Sequence, residues 1–207
     1  MKLIVVEATI GAGKSTVLSQ LAEKIGYTYL LEPVDSDSTF AELLKDFTQN
    51  PTDTAIRLKF QRYITDSRSS LLKDIPDGNY LIERSLFSDL VFSQVNMLGM
   101  ERPDGEYISY YYDIINRLKD YPRVDAVVYL RTTPEIAHSR MMSRGRDAEN
   151  GTPLSYMQDL HNYHEACLPQ ICREYNSQLL TFEWDDFGGK NGVNDIVKQL
   201  TMRGIVV

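Results

Sequence analysis

One short segment constrains the fold of this chain more than any other. Residues 11–16 read Gly-Ala-Gly-Lys-Ser-Thr, between an apolar stretch from Leu3 to Val6 and a helical pattern that runs to about Lys24, with Gly26 as its stop. Small residues there let backbone N–H groups turn toward phosphate oxygens, and a helix N-terminus adds partial positive charge. The segment predicts a phosphate-binding loop in a strand-loop-helix unit.

The side chains of this segment suit a nucleoside triphosphate. Lys14 is expected to reach the β and γ phosphates, and the Ser15 hydroxyl to bind Mg²⁺. A glycine-rich turn that merely starts a helix is the alternative, but a lysine and two hydroxyls serve no packing purpose there. Ala8 stands where the motif usually has its first glycine. The predicted ATP-binding residues of the loop are Gly11, Ala12, Gly13, Lys14, Ser15 and Thr16.

Apolar runs alternate with helical patterns along the chain, which predicts a parallel sheet covered by helices on both faces. The class is therefore α/β, and the 207 residues are expected to form one domain over residues 1–207, since no linker or repeat divides them. The predicted strands are Leu3 to Val6, Tyr27 to Leu31, Tyr80 to Ile82, Ala126 to Leu130, and Leu179 to Phe182.

Charge and composition exclude several classes of protein. The formal net charge is −7, which disfavours proteins that bind nucleic acid or anionic membranes through clustered positive charge. The apolar N-terminal run is too short for a signal peptide. Cys167 and Cys172 are too few for a disulfide framework and are expected to be structural thiols. These features predict a cytoplasmic protein.

Two acidic positions follow predicted strands, where open α/β sheets bind ligands. Glu32 ends the second strand and could take a proton from an attacking hydroxyl. Glu83 and Arg84 follow the third strand, which would place Glu83 beside Mg²⁺ and Arg84 near a phosphate or the nucleophilic hydroxyl. Taken alone, Glu32 reads as a surface acid, and a purely structural Glu83–Arg84 pair stays open.

Three further residues suit a heterocyclic base. Gln61 and Arg68 are seven residues apart in a helical pattern and therefore share one face. The Gln61 amide donates and accepts, and Arg68 can pair with Asp89, so that donors and acceptors are offered together. In isolation the same pattern would be a solvated helix face.

An arginine cluster predicts a lid over about residues 140–152. Arg140 and Arg144 are one helical turn apart, Gly145 allows a bend before Arg146, and Glu149 follows. Converging guanidinium groups would neutralise charge on a transferring phosphoryl group. The alternative is a solvated basic helix end, which the position after the fourth strand disfavours.

Two other features favour structural roles. His161 and His164 lack a third ligand, so no metal site is expected there. The run from Tyr110 to Tyr112, with Ile114 and Ile115 after it, predicts a packed helix rather than a stacking platform for bases.

Together, the motifs resemble the deoxynucleoside kinase family related to deoxycytidine, deoxyguanosine and deoxyadenosine kinases, and their order spans about residues 1–170. The resemblance implies a P-loop kinase fold with a five-stranded parallel sheet flanked by helices, an Arg-rich lid, and a homodimer. It implies ATP and a deoxynucleoside as substrates and Mg²⁺ as cofactor, while the net charge predicts no nucleic acid or membrane partner. The short chain resembles compact bacterial or phage members.

The resemblance also implies roles for single residues. Glu32 looks like the general base for the 5′-hydroxyl, with Arg84 as its partner, and Glu149 looks like the acid that contacts the sugar. The tyrosine that often contacts the 3′-hydroxyl has no clear match, since Thr48 or Asn50 stands there. The implied base-reading residues are Gln61, Arg68 and Asp89, and the implied lid arginines are Arg140, Arg144 and Arg146, of which Arg140 and Arg144 also bind ATP.

The sequence favours a purine deoxynucleoside, either deoxyadenosine or deoxyguanosine, with deoxycytidine next and thymidine poor. The charged pair of Arg68 and Asp89 would crowd the thymine methyl group and offers the wrong donor order. Two alternatives stay open: a thymidylate-type nucleoside monophosphate kinase, and a non-catalytic nucleotide-binding switch. Glu32 favours an uncharged hydroxyl acceptor over the first, and the lid arginines disfavour the second.

Overall fold

The computed structural model describes residues 1–32, 37–73, 75–98 and 105–206. Five strands and eight α-helices lie within these ranges. None of these helices is long and apolar enough to cross a membrane. In chain order the elements are β1 (Lys2–Glu7), α1 (Lys14–Ile25), β2 (Thr28–Leu30), α2 (Ser38–Gln49), α3 (Thr54–Leu71), β3 (Asn79–Glu83), α4 (Leu86–Leu98), α5 (Gly105–Leu118), β4 (Ala126–Arg131), α6 (Pro134–Arg144), a 3₁₀ helix (Asp147–Glu149), α7 (Leu154–Glu174), β5 (Gln178–Glu183) and α8 (Val193–Met202).

The five strands form one parallel sheet in the order β2-β3-β1-β4-β5. Every predicted strand is confirmed, with ends that differ by one residue at most. Because β1 lies between β3 and β4, the chain connections diverge at its carboxyl end. Ligands of open α/β sheets bind at such a point.

Alternating side chains of β1 build a core on each face of the sheet. Leu3 and Val5 pack with residues of α3, α4, α5 and α7, whereas Ile4 and Val6 pack with residues of α1 and α8. All four side chains are fully buried. The period of two in a strand makes this division, and the apolar run of β1 is what a strand buried on both faces requires.

Glycines at two ends of the first loop-helix unit have positive φ angles. Gly26 ends α1 with a φ of 69°, as its place in the sequence predicted. Gly11 has a φ of 80°, and an added Cβ there would lie 2.1 Å from the backbone oxygen of Ala137 at the start of α6. The phosphate-binding loop therefore approaches α6 too closely for any side chain at Gly11.

Replacement of Gly11 with Ala should destabilise the protein more than replacement of Gly26 with Ala. Both variants place a side chain in the left-handed region, which costs about 1–2 kcal/mol. Only Gly11→Ala adds a backbone clash, since nothing lies within 4 Å of a Cβ at Gly26. Urea denaturation of both variants checks this, and equal losses of unfolding free energy would contradict the close approach.

Candidate active site

A cavity of about 310 Å³ opens at the carboxyl edge of the sheet. Its floor includes Lys14 after β1, Glu32 after β2, and Glu83 and Arg84 at the end of β3. The remaining walls come from α2, α3, α4, α5 and the segment between α6 and α7. The cavity thus lies where the strand order predicts a ligand site, and its size suits a small molecule.

The phosphate-binding loop leaves the N-terminus of α1 open. Gly13 precedes the helix with a φ of 88° and contributes no side-chain cap, so the first N–H groups of α1 keep their capacity for an anion. Within the loop, Gly11 and Lys14 line the cavity and Ala12 is buried, whereas Thr16 is exposed. Ala8, in place of the usual glycine, is fully buried.

Lys14 lies inside this loop, buried and close to one carboxylate. Its Nζ donates to the backbone oxygen of Thr9 at 3.2 Å and lies 3.8 Å from Glu83 Oε1. Burial lowers the pKa of Lys14 to about 8, and Arg84 adds to the decrease, although Glu83 and Glu32 oppose it. An anion in the loop would restore the preference of this lysine for its charged form.

Ser15 and Glu83, the two predicted metal ligands, lie together. The Ser15 hydroxyl donates to Glu83 Oε2 at 3.0 Å. A hydroxyl and a carboxylate fit Mg²⁺, which takes few protein ligands and completes its shell with phosphate oxygens and water. Within the described residues no group of three or more His, Cys, Asp or Glu could hold a metal ion, so the chain offers no all-protein metal cage there.

A buried ion-pair network lies beside the loop. Arg68 donates to both Glu32 and Asp89, and Arg84 Nη1 donates to Glu32 Oε2 at 2.9 Å. All four side chains are less than a tenth exposed. The predicted pairing of Arg68 with Asp89 is confirmed, whereas the contact of Arg68 with Glu32 was not predicted. Pro33 and Val34, which follow Glu32 in the motif, lie outside the described residues.

The network shifts the pKa values of its two carboxyl groups in opposite directions. Burial opposes ionisation of Glu32, but Arg68, Arg84 and Lys14 outweigh it and lower its pKa to about 2. Burial raises the pKa of Asp89, and Glu32 adds to that increase while Arg68 opposes it. Glu32 is therefore the carboxylate that stays charged across the whole physiological range.

Gln61 lies on the cavity wall between Arg68 and the start of α3, as the shared helix face predicted. Its Oε1 accepts a hydrogen bond of 2.6 Å from the Tyr107 hydroxyl, and its backbone oxygen accepts one of 3.3 Å from Tyr110. The α5 helix is packed at Tyr110, as expected, but Tyr110 also lines the cavity and Tyr112 is 59% exposed. Tyr107 and Tyr110 are three residues apart and therefore share one face of α5. This spacing could have predicted that both contact Gln61.

The arginine cluster does not converge as predicted. Arg144 Nη2 donates to Glu149 at 2.7 and 2.6 Å, and Arg146 Nη1 lies 3.6 Å from the same carboxylate. These three side chains line the cavity. Arg140 instead donates to the backbone oxygens of Trp184 and Asp185, with its guanidinium 3.8 Å above the Phe187 ring. The carbonyl groups after β5 hold this long side chain away from its helical neighbour.

The cavity wall near the 3₁₀ helix contains residues that the sequence patterns did not predict. Thr48 lines the cavity, and its hydroxyl bonds to the backbone oxygens of Leu44 and Ala148, whereas Asn50 is exposed at the end of α2. Phenylalanines of α2, α3 and α4 supply an apolar surface, and their helical spacing was the signal that could have identified it. The missed lining residues include Phe40, Phe47, Arg57, Phe60, Phe92, Asn96 and Tyr156.

Comparisons with known proteins identify the family of the chain. A family described as "Deoxynucleoside kinase" matches residues 4–202. The chain is 25% identical to the deoxyadenosine/deoxycytidine kinase of Bacillus subtilis over 96% of its own length and 91% of that protein. It is 30% identical to the deoxyguanosine kinase of Lactobacillus johnsonii, over 81% of its length and 74% of that protein.

A solved structure shares the fold across nearly the whole chain. The deoxyadenosine kinase from M. mycoides with bound dCTP superposes with a TM-score of 0.77 at 27% identity, covering 97% of this chain and 99% of that one. A second structure of that enzyme carries bound dATP and gives the same TM-score. The P-loop kinase fold expected from the resemblance is confirmed. The chain belongs to the deoxynucleoside kinase family, whose members are phosphotransferases that act on a deoxynucleoside hydroxyl.

Proposed function

We propose that this chain transfers the γ-phosphate of ATP to the 5′-hydroxyl of a deoxynucleoside, with purine deoxynucleosides favoured and deoxycytidine next. The observation that carries the proposal is the placement of one ionised carboxylate, Glu32, in the same cavity as Lys14 of the phosphate-binding loop. A kinase needs phosphate groups at the loop and an acceptor hydroxyl within reach of a base. The cavity holds both features.

Glu32 acts as the proton acceptor in this proposal. The 5′-oxygen forms a bond to the γ-phosphorus, the bond from that phosphorus to the departing ADP oxygen breaks, and the hydroxyl proton passes to Glu32. A carboxylate with a pKa of about 2 is a weak base. If Arg68 turns from Glu32 to a bound nucleobase, Glu32 loses one of its two guanidinium partners, and its basicity rises when substrate is present.

The loop and lid neutralise the charge of the transferring group. Lys14 reaches the phosphates, and Ser15 and Glu83 would hold the Mg²⁺, which as a Lewis acid offsets charge on phosphate oxygens. Arg144 and Arg146 now share the Glu149 carboxylate. When a sugar hydroxyl takes up Glu149, both arginines become available to the phosphoryl group.

Arg140 fits a different part of ATP from the one predicted. Its guanidinium lies over the Phe187 ring, and Phe187 packs where a Cβ on Gly13 would meet it at 3.2 Å. A flat cation and an aromatic ring beside the phosphate-binding loop suit the adenine ring of the donor. The homodimer implied by the resemblance and the cytoplasmic location predicted from composition stay predictions.

Deoxynucleosides should support ADP release with Mg-ATP, while deoxynucleoside monophosphates should not, because the cations beside Glu32 are already paired with carboxylates. Deoxyadenosine or deoxyguanosine should give the highest kcat/KM, deoxycytidine the next, and thymidine the lowest. A coupled ADP assay with all four nucleosides and their monophosphates measures this. Activity on monophosphates alone, or a best rate with thymidine, would contradict the proposal.

Replacement of Glu32 with Gln should lower kcat by about 10²-fold or more, the usual scale of a general base, with a smaller change in nucleoside affinity. The amide keeps the shape of the site but accepts no proton. Glu23→Gln, on the exposed face of α1, is the matched control and should leave kcat unchanged. A Glu32→Gln enzyme within a few-fold of wild type would rule out the assigned role.

Binding of Mg-ATP should take up protons near pH 8. With a pKa of about 8, roughly half of Lys14 is uncharged there, and bound phosphates raise that pKa, so about half a proton enters per ATP. The uptake should fade toward pH 6, where Lys14 is already charged. Calorimetry in buffers of different ionisation enthalpy measures it.

The Lys14→Arg variant provides the control for this titration. Arginine keeps the positive charge but does not titrate near pH 8, so the proton uptake should disappear while binding stays measurable. Wild-type protein that binds Mg-ATP at pH 8 with no proton uptake would show that Lys14 is fully charged in the free state.

A further inference from the structure

One buried carboxyl group, Glu7, faces the segment that carries Arg84. Glu7 is the last residue of β1, is fully buried, and is not among the described residues that line the cavity. Its two oxygens accept hydrogen bonds from the hydroxyl groups of Ser85, at 3.3 Å, and of Ser88. Within the described part of the chain, no lysine or arginine nitrogen lies within 4 Å of these oxygens, so serine hydroxyls and not an ion pair hold this group.

Hydrogen bonds also run in the opposite direction, from Arg84 to both neighbours of Glu7. The backbone N–H of Arg84 donates to the oxygen of Val6 at 3.1 Å, and its Nη2 donates to the oxygen of Ala8 at 3.3 Å. The end of β1 and the turn after β3 therefore hold each other through four hydrogen bonds, two in each direction. We call these four contacts the Glu7 clasp.

The Glu7 clasp holds Arg84 in a backbone conformation that a residue with a side chain disfavours. The φ angle of Arg84 is 61°, in the left-handed region. Such a conformation persists only where the surrounding contacts impose it. Ser85 follows Arg84 directly and Ser88 lies in the first turn of α4, so fixing both serines fixes the turn between them and β3.

This conformation directs the Arg84 guanidinium toward the proposed proton acceptor. Its Nη1 donates to Glu32 Oε2 at 2.9 Å, and its Cζ lies over the Phe92 ring, 5.0 Å from the centroid. The position of this group depends on the backbone from which the long side chain starts. Because a displacement of about 1 Å in a reacting site can lower a rate by about 10²-fold, contacts that fix the turn bear on the rate of transfer.

We propose that Glu7 is a positioning residue for phosphoryl transfer, which acts through Ser85, Ser88 and the left-handed turn at Arg84. This inference rests on the proposed function, in which Arg84 and Glu32 meet the acceptor hydroxyl. The hydrogen bonds of Glu7 are what the turn requires, and its negative charge is not. Burial raises the pKa of Glu7, which agrees with a group whose charge is dispensable.

Two substitutions of Glu7 separate hydrogen bonding from charge and volume. In Glu7→Gln the carbonyl can accept from Ser85 and the amide can donate to the Ser88 oxygen, so both contacts survive. The Glu7→Met side chain is also unbranched but makes neither contact. Glu7→Met should lower kcat by about 10- to 100-fold and change KM for nucleoside and Mg-ATP by less than about 3-fold, whereas Glu7→Gln should keep kcat within about 3-fold of wild type.

Two buried serines of α4 provide a matched pair of variants. Ser88→Ala removes a hydroxyl that contacts Glu7, whereas Ser93→Ala removes one that donates to the backbone oxygen of Leu90 at 2.9 Å. Both side chains are fully buried, so the losses of unfolding free energy should be similar. Only Ser88→Ala should lower kcat in the coupled ADP assay.

A double-mutant cycle tests whether Glu7 acts through Arg84. Arg84→Gln lowers kcat by itself, and adding Glu7→Met should lower it by less than about 3-fold more, because the side chain that Glu7 positions is already gone. A general structural role would instead lower kcat by the same factor in both backgrounds. If Glu7→Met does not fold, Ser88→Ala takes its place in the cycle.

The backbone of residue 84 gives a second readout that needs no turnover. In crystals of Glu7→Gln, the φ angle of Arg84 should stay near 61°, and in Glu7→Met it should leave the left-handed region. Ser88→Ala crystals replace those of Glu7→Met if that variant does not fold.

Several results would overturn the proposal. These are equal losses of kcat in Glu7→Gln and Glu7→Met, additive losses in the cycle, equal effects of Ser88→Ala and Ser93→Ala, and a left-handed Arg84 in every variant. A wild-type enzyme that forms no ADP with any of the four deoxynucleosides would overturn the proposed function instead. The φ angle of Arg84 in the variants would then still decide whether Glu7 holds the turn.

Discussion

The ion pairs of Glu32, Arg68, Arg84 and Asp89 are the interaction on which the rest of the site depends. Two guanidinium groups and two carboxyl groups are buried together, and removal of any one leaves an uncompensated buried charge, which typically costs 3–5 kcal/mol. The four residues come from the segment after β2, from α3, from the turn after β3, and from α4. The same ion pairs therefore hold these elements together and arrange the acceptor site.

Glu7 connects the carboxyl end of β1 to the segment that carries Arg84, a member of the same network. This carboxyl group is fully buried at the end of β1, and burial raises its pKa. It accepts hydrogen bonds from Ser85 and Ser88 at the start of α4. Arg84, just before them, has a φ of 61°, rare for a residue with a side chain. Its N–H donates to Val6 at 3.1 Å, which holds this conformation against β1.

Local patterns in the sequence predicted the sheet, the phosphate-binding loop and the face shared by Gln61 and Arg68, because these follow from helix and strand periods. They did not predict which groups the ends of long side chains contact. Arg140 and Arg144 share a helical spacing, yet the carbonyl groups after β5 attract one and Glu149 the other. Such partners lie far away in sequence, and only the packed fold brings them within reach.

The distribution of charge along the cavity separates the two substrates. Beside Glu32, the guanidinium groups of Arg68 and Arg84 are balanced by two carboxyl groups, so this part of the wall is close to neutral and suits an uncharged nucleoside. At the phosphate-binding loop and beside the 3₁₀ helix, Lys14, Arg144 and Arg146 have only Glu83 and Glu149 as nearby carboxyl groups among the lining residues. That excess of positive charge attracts a triphosphate, although the chain as a whole is acidic. The fold thereby gives each end of one cavity the electrostatics of a different ligand.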